Sequence, residues 1–309
     1  MSSLVSDEEV LQISCENCGA RLLVEPHLKT SECPYCASTS IVERPLGGTR
    51  AEPLFALGFT IGRERARELC VSWIKSRSVF TPASFRKSLP ARGRGLYLPA
   101  YLYCAVSESE YRCRIGENYT ETYTTTDSKG RTVTRTRTVT EYRNLTGHFS
   151  SYIRDVMVTA SAGISNELLE KVEPFDMRAL VRYTPALLSG WIAEEASLSR
   201  DACRELARAE SMSKVGERLS SMMPGDSHSD LNHRTRLTDE VTDLLLLPVW
   251  VFAVRPAEDE PPIQILVNGQ TGEVAGFVPR SWVRIILVVL GGLAIAALIV
   301  AVLMMVLAL

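Results

Sequence analysis

Two short cysteine pairs, Cys15-Glu16-Asn17-Cys18 and Cys33-Pro34-Tyr35-Cys36, decide the fold of the N-terminal part of this chain. Each pair has the Cys-x-x-Cys spacing of a metal knuckle, in which a tight turn directs two sulfurs at one point. Two such turns on facing hairpins form a tetrahedral thiolate cage that suits Zn²⁺, and a single iron is the alternative that the same ligands leave open. We therefore predict a zinc ribbon over residues 10–44, with Cys15, Cys18, Cys33 and Cys36 binding one structural zinc ion.

Length and composition bound the rest of the chain. With 309 residues the chain exceeds one typical domain, which predicts two or three folded units. The net charge of −2 and the 23% of charged residues disfavour both a disordered chain and a protein built around polyanion binding. Residues 45–51 are predicted as a linker. Four further cysteines are expected to be buried thiols, since a thiolate zinc site indicates a reducing compartment: Cys70, Cys104, Cys113 and Cys203.

The C-terminal segment 283–309 is almost entirely apolar and carries one charge, Arg284. A helix of about twenty such residues spans a bilayer, so we predict a single transmembrane helix that acts as a tail anchor. Arg280 and Arg284 at its start would keep the N-terminal domains in the cytoplasm, which predicts a protein of the inner (plasma) membrane. Small residues at Gly292-x-x-x-Ala296 suggest a homo-oligomer formed through this helix.

Short sequence patterns that recur within residues 52–279 indicate an internal duplication. In both halves a helix with an Arg-rich start precedes a strand that opens with Leu-Pro and aromatic residues, at Leu98-Pro99 and at Leu247-Pro248. We predict an α+β fold with antiparallel sheets in two pseudo-repeated units, 52–160 and 161–279. The first unit would include a long β-hairpin that turns near Gly130. Helices are expected at 63–76 and 200–222, and a polar, mobile loop at 224–236.

Charged segments offer two candidate interaction surfaces. The stretch 63–94 is strongly basic and could bind an acidic partner, nucleic acid or anionic lipid; a dispersed helix face paired with acidic residues elsewhere is an equal alternative. In the hairpin, arginines at 131–143 alternate with threonines, and pairing around Gly130 would place Glu121 opposite Arg137 and Tyr123 opposite Arg135. A solvated hairpin stabilised by such pairs is the simpler interpretation. In the predicted ribbon acidic residues outnumber basic ones, so the ribbon itself is not expected to bind nucleic acid.

The sequence contains no pattern of a catalytic site. A Walker phosphate loop, a Rossmann glycine fingerprint, a nucleophile elbow and a His-Glu-x-x-His helix are all missing. His228 and His233 are spaced near Asp226 and Asp230 as metal ligands could be, but an ordinary polar loop is the simpler explanation. We therefore expect a protein that is not an enzyme.

The chain resembles a bacterial family of TFIIB-type zinc-ribbon membrane proteins, often labelled primosomal protein N′ or superfamily II helicase-like. The resemblance rests on the two cysteine pairs together with Trp73, Tyr97-Leu98-Pro99-Ala100-Tyr101, Arg135-Thr136-Arg137-Thr138, Leu247-Pro248-Val249-Trp250, Asn268-Gly269-Gln270-Thr271-Gly272, Pro279 and Ser281. A helicase needs a phosphate-binding loop, and this sequence has none. We therefore attribute the helicase label to the resemblance of the ribbon alone. The resemblance implies a zinc-binding family without an established activity, some members of which look like membrane recruiters for stress-response scaffold proteins of the SPFH and phage-shock type.

These observations predict a membrane-anchored, cytoplasm-facing adaptor that binds protein partners at the inner leaflet. The alternative is a regulatory protein that contacts nucleic acid through segment 63–94 or through the arginine hairpin 131–143. Steep dependence of binding on salt concentration would distinguish the second function from the first.

Overall fold

The computed structural model describes residues 11–24, 33–35, 41–44, 51–78, 80–88, 90, 93–126, 130–188, 190–256 and 262–279, and the single positions 286, 292, 295 and 300. The strands are β1 Leu11–Cys15, β2 Arg21–Val24, β3 Ile41–Arg44, β4 Phe55–Ala56, β5 Arg94–Thr126, β6 Thr132–Thr159, β7 Val181–Arg182, β8 Ile192–Glu194, β9 Ser227–Val254, β10 Ile263–Asn268 and β11 Val274–Gly276. The helices are α1 Arg63–Lys75, α2 Ala83–Lys87, α3 Asn166–Glu170 and α4 Arg200–Met222.

The strands form one mixed sheet with the order β11-β10-β9-β5-β8-β2-β1-β3. Strand β6 pairs with β5, and β4 pairs with β7 and β9. Two of the pairings are parallel, with Leu96 opposite Ile192 in β5–β8 and Phe55 opposite Leu245 in β4–β9. The predicted antiparallel sheets in two repeated units are therefore wrong, because strands from both halves of the sequence share one sheet that also contains parallel pairs.

The chain forms two compact units, each built from separate segments. The first contains Met1–Ala100, Thr159–Leu198 and Leu244–Leu309, and the second contains Tyr101–Val158 and Ser199–Asp243. Each unit thus takes residues from both of the predicted halves, 52–160 and 161–279.

In the first unit, helix α1 buries one apolar stripe. Ala66, Cys70 and Ile74 are spaced four residues apart, so they lie on one face, and they join a core that contains Trp250 and Phe252 of β9. The backbone approaches this core closely at Gly93, where an added Cβ would lie 2.2 Å from the Phe252 ring. A glycine at this position therefore lets the start of β5 pass over the aromatic side chain.

In the second unit, helix α4 places a residue in the interior at every fourth position. The buried set consists mainly of small side chains: Cys203, Ala207, Ser211, Val215 and Leu219. The Ser199 hydroxyl caps the helix by accepting a hydrogen bond from the Ala202 N–H at 3.3 Å. Arg208 on the same helix holds Glu240 of β9 through two hydrogen bonds of 2.6 and 2.7 Å, and the Tyr103 hydroxyl donates to the same carboxylate at 2.7 Å.

Several local predictions are confirmed and one is wrong. Helix α4 has the predicted bounds, and α1 ends one residue early. The segment 224–236 is not a loop, since β9 begins at Ser227. Its polar side chains are held by the neighbouring strand, with Thr235 bonded to Ser109 at 2.8 Å and Arg236 paired with Glu108 at 3.1 Å.

The predicted transmembrane helix at 283–309 is wrong, and the tail anchor and inner-membrane localisation that depended on it are wrong with it. Among the described residues no helix combines the length and the apolar composition that a membrane span requires. Helix α4 has 23 residues, but charged side chains recur along it, whereas a span needs about twenty mainly apolar residues. Most of 283–309, including the Ala296 of the predicted oligomer contact, lies outside the described residues; Ile286, Gly292, Ile295 and Val300 are helical.

Candidate metal centre

The first cysteine knuckle is a tight turn at the end of β1. Cys15 ends the strand, and its carbonyl accepts a hydrogen bond from the Gly19 N–H at 2.9 Å. Its own N–H donates to the Ala20 carbonyl at 2.9 Å. Gly19 has φ +76°, a conformation that glycine adopts without steric cost, and it returns the chain into β2. The turn therefore brings Cys15 and Cys18 to the same side of the hairpin.

Three of the four predicted ligands meet at this turn. The sulfurs of Cys15, Cys18 and Cys33 all lie within 4.8 Å of one another, and Cys18 and Cys33 are 3.6 Å apart. Two sulfurs on a tetrahedral zinc ion with bonds near 2.3 Å would be separated by about 3.8 Å. Cys15 and Cys33 are buried and Cys18 is half-buried. This cluster could hold a metal ion; Cys36, the fourth predicted ligand, lies outside the described residues.

The strands that carry the knuckles continue into the main sheet. Strand β1 pairs with β2 and β3, and β2 pairs with β8, where Leu22 lies opposite Glu194 and Leu23 opposite Ala193. The Glu195 N–H extends this pairing by donating to the Arg21 carbonyl at 2.8 Å. The hairpin that carries Cys15 and Cys18 is therefore attached to the sheet by backbone hydrogen bonds. Residues 45–50 of the predicted linker lie outside the described residues.

A buried hydrogen-bond network ties the second knuckle to β8. Glu194 is 2% exposed and accepts from the Tyr35 hydroxyl at one oxygen and from the Ser161 hydroxyl, 2.7 Å away, at the other. The Ser161 oxygen in turn accepts from the N–H groups of Gly163 and Ile164 at 2.8 and 3.1 Å. We call Tyr35, Glu194 and Ser161 the buried triad.

Glycine at position 163 makes room for this arrangement. A Cβ at that position would lie 2.7 Å from the Tyr35 ring, which is completely buried. The ring can therefore pack closely against the backbone because residue 163 has no side chain.

The electrostatics of the buried triad follow from its burial. Loss of hydration raises the pKa of Glu194 to about 8, and it also raises the pKa of Tyr35. The hydrogen bonds from Tyr35 and Ser161 act in the opposite direction on Glu194, and a negative charge on Cys33 would raise its pKa further. Burial therefore favours the protonated carboxyl, whereas the two donated hydrogen bonds favour the carboxylate.

No local sequence pattern predicts the buried triad. Glu194 is one acidic residue at the end of a three-residue strand, and its partner Tyr35 lies 159 positions earlier. The only available signal was an aromatic residue between Cys33 and Cys36, which does not identify a distant partner.

The arginine hairpin forms largely as predicted. Gly130 has φ +74°, and Arg137 pairs with Glu121 at 2.7 Å. The Arg137 guanidinium also lies 5.5 Å from the centre of the Tyr123 ring. The prediction had placed Tyr123 opposite Arg135 instead. Together with the pair between Arg143 and Glu117, these contacts offset part of the positive charge of the hairpin.

The alternative of a second metal site at His228 and His233 is not supported among the described residues. His228 is bonded to Ser220 at 3.0 Å and His233 to Thr235 at 2.9 Å. Within the described part of the chain, the thiol cluster is the one group of potential ligands close enough to share an ion. Of the other cysteines, Cys70, Cys113 and Cys203 are buried and Cys104 is half-buried.

The basic stretch 63–94 lies on α1, α2 and the start of β5. Several of its cations have local partners: Arg65 pairs with Glu68 at 3.0 Å, and Arg77 lies 4.1 Å from the centre of the Trp73 ring. Arg63 lies 5.9 Å from the Trp250 ring. These contacts do not identify a ligand for the segment.

Comparison with known proteins identifies a distant relative but does not indicate a function. No protein-family profile matches the chain, and no solved structure matches it. The uncharacterized protein YdjG of Bacillus subtilis (strain 168) is 26% identical over 241 residues, which cover 74% of this chain and 64% of YdjG. The chain thus spans less than two thirds of that relative's length, and the description of YdjG names no activity or ligand.

Proposed function

We propose that this protein is a zinc-stabilised adaptor that binds a protein partner through its long β-hairpin. Zinc bound by Cys15, Cys18, Cys33 and Cys36 would have a structural role, because four thiolates leave no open position for a substrate. The observation that supports the proposal is the exposed hairpin formed by β5 and β6 beyond the start of β9.

The hairpin arm, residues 117–126 and 130–143, extends beyond its neighbours in the sheet. Strand β9 begins at Ser227, and Asp226 contacts β5 at Gly116 and Asn118. Beyond Asn118 the described part of the sheet contains only the two strands of the arm, so both of their outer edges are unpaired. Unpaired edges and exposed faces of this kind are surfaces on which partner proteins add strands or dock.

Tyrosines on the hairpin arm support protein binding. Tyr119, Tyr123 and Tyr142 are 49%, 40% and 52% exposed. Tyrosine is enriched at protein interfaces because it buries a large, rigid surface and keeps a polar group at its tip. The ion pairs of Arg137 and Arg143 with glutamates reduce the attraction of the arm for phosphates.

The experiment is affinity capture by the purified full-length protein. Scaffold proteins of the SPFH and phage-shock type, which the family resemblance suggests, are the first partners to test. We expect the triple variant Tyr119→Ala, Tyr123→Ala and Tyr142→Ala to lose the partner while retaining its fold and its metal. Tyr152→Ala is the matched control, since Tyr152 is 74% exposed but lies outside the arm. Equal capture by the triple variant and the control would contradict the proposal, as would capture of nucleic acid with a steep salt dependence.

A further inference from the structure

A polar groove lies on the exposed face of the three long strands in the second unit. Two adjoining cavities of about 560 and 640 Å³ share Glu110, His148 and Arg234 as lining residues. They therefore form one continuous groove across β6, β5 and β9. Its volume suits a small molecule.

Bulged positions lie in the strands near the groove. Asp155 of β6 and Asp230 and Asp239 of β9 have φ values of +60°, +53° and +51°. Residues in this left-handed conformation within a strand mark bulges, which increase the local twist of a sheet. Such twist makes a concave surface from strands whose side chains would otherwise form a flat face.

The charges in the groove are only partly neutralised by one another. Glu108 pairs with Arg236 at 3.1 Å. Glu110 lines the same groove as Arg112 and Arg234, yet within the described residues none of these three forms an ion pair or a side-chain hydrogen bond. The groove thus presents two guanidinium groups and one carboxylate that have no ion-pair or side-chain hydrogen-bond partner among the described residues.

We propose that this groove binds a small zwitterion that carries an oxyanion and an ammonium group. The guanidinium groups of Arg112 and Arg234 would hold the oxyanion, since a guanidinium donates paired hydrogen bonds to phosphate or carboxylate. The carboxylate of Glu110 would hold the ammonium group. This charge pattern, in which an unpaired anion lies beside two unpaired cations, is complementary to a ligand with both charges.

The test is calorimetric titration of the full-length protein with phosphoethanolamine, inorganic phosphate and ethanolamine. We expect saturable binding of phosphoethanolamine, with weaker binding of inorganic phosphate. Arg112→Gln and Arg234→Gln should each weaken phosphoethanolamine binding about tenfold, the effect of removing one charge-assisted hydrogen-bonding group. Glu110→Gln should weaken the binding of phosphoethanolamine but leave that of phosphate unchanged.

Arg218→Gln is the control, because it removes the same charge from the exposed surface of α4 and does not line the groove. No saturable binding of phosphoethanolamine by the unmodified protein would overturn the proposal. Equal affinity in Arg234→Gln and Arg218→Gln would also overturn it. A Glu110→Gln variant that loses phosphate and phosphoethanolamine equally would overturn the role given to Glu110.

Discussion

Replacing Tyr35 with Phe tests whether the buried triad holds the metal knuckle on the sheet. The substitution keeps the ring, which packs on Gly163, and removes only the hydroxyl that donates to Glu194. Both residues are buried, so the Glu194 oxygen that loses its donor cannot be hydrated in its place. Leaving a buried polar atom unsatisfied costs on the order of 1–3 kcal/mol, and we expect the free energy of unfolding to fall by about 2 kcal/mol.

The assay is urea unfolding of the full-length, metal-loaded protein followed by tryptophan fluorescence. Trp191 reports on the region because it lies three residues before Glu194 and stacks on Phe59 with ring centres 4.0 Å apart. Tyr152→Phe is the control, since Tyr152 is 74% exposed and its substitution should change stability by less than about 0.5 kcal/mol.

A double-mutant cycle with Glu194→Gln separates this contact from general effects on the fold. Direct coupling between the two side chains should make the loss in the double variant differ from the sum of the single losses by about 1 kcal/mol or more. The reasoning would be refuted if Tyr35→Phe were no more destabilising than Tyr152→Phe, or if the two losses were additive.

Three other outcomes are expected. Cys15→Ser should abolish the retention of one zinc per chain, measured by elemental analysis, while Cys104→Ser retains it; zinc in both variants would exclude the cluster as the site. Hydrogen bonding to Arg208 lowers the pKa of Glu240 to about 2, so this pair stabilises the fold above the usual carboxyl pKa of 4.5 and the contribution is lost as pH falls from about 4.5 to 2. In the Glu240→Gln variant, the free energy of unfolding should therefore fall less on acidification than in the unmodified protein, by about 1–2 kcal/mol after allowing for partial exposure of the pair. An unchanged dependence of the unfolding free energy on acid pH would contradict the stabilising role given to this pair. Gly163→Ala should lower the thermal midpoint through overpacking worth about 1–3 kcal/mol, and an unaltered midpoint would show that the neighbouring ring can move away.

Local signals in the sequence are sufficient to predict the two long helices, α1 and α4, and the turn of the first knuckle. In α4, buried residues recur at every fourth position after the Ser199 cap, and this pattern is complete within the helix itself. The turn from Cys15 to Ala20 is equally local, because its hydrogen bonds join residues five positions apart or fewer. Such features depend on neighbours that the sequence places side by side.

The parts that could not be predicted depend on distant partners. The polar residues from Ser227 to Arg236 have the composition of a loop, and they form a strand because β5 supplies the pairing. Strand β8 has three residues and is held between β5 and β2. The buried Glu194 is acceptable only because Tyr35 and Ser161 satisfy it, and neither partner can be identified from the residues around it.

The separation of 159 residues between Tyr35 and Glu194 has a consequence for synthesis of the chain. A ribosome that adds about 5–20 residues per second needs roughly 10–30 s to make the stretch between them. During that interval the edge of β2 that pairs with β8 has no strand to cover it. Newly made chains crowded on one messenger RNA would then expose the same backbone donors and acceptors to each other.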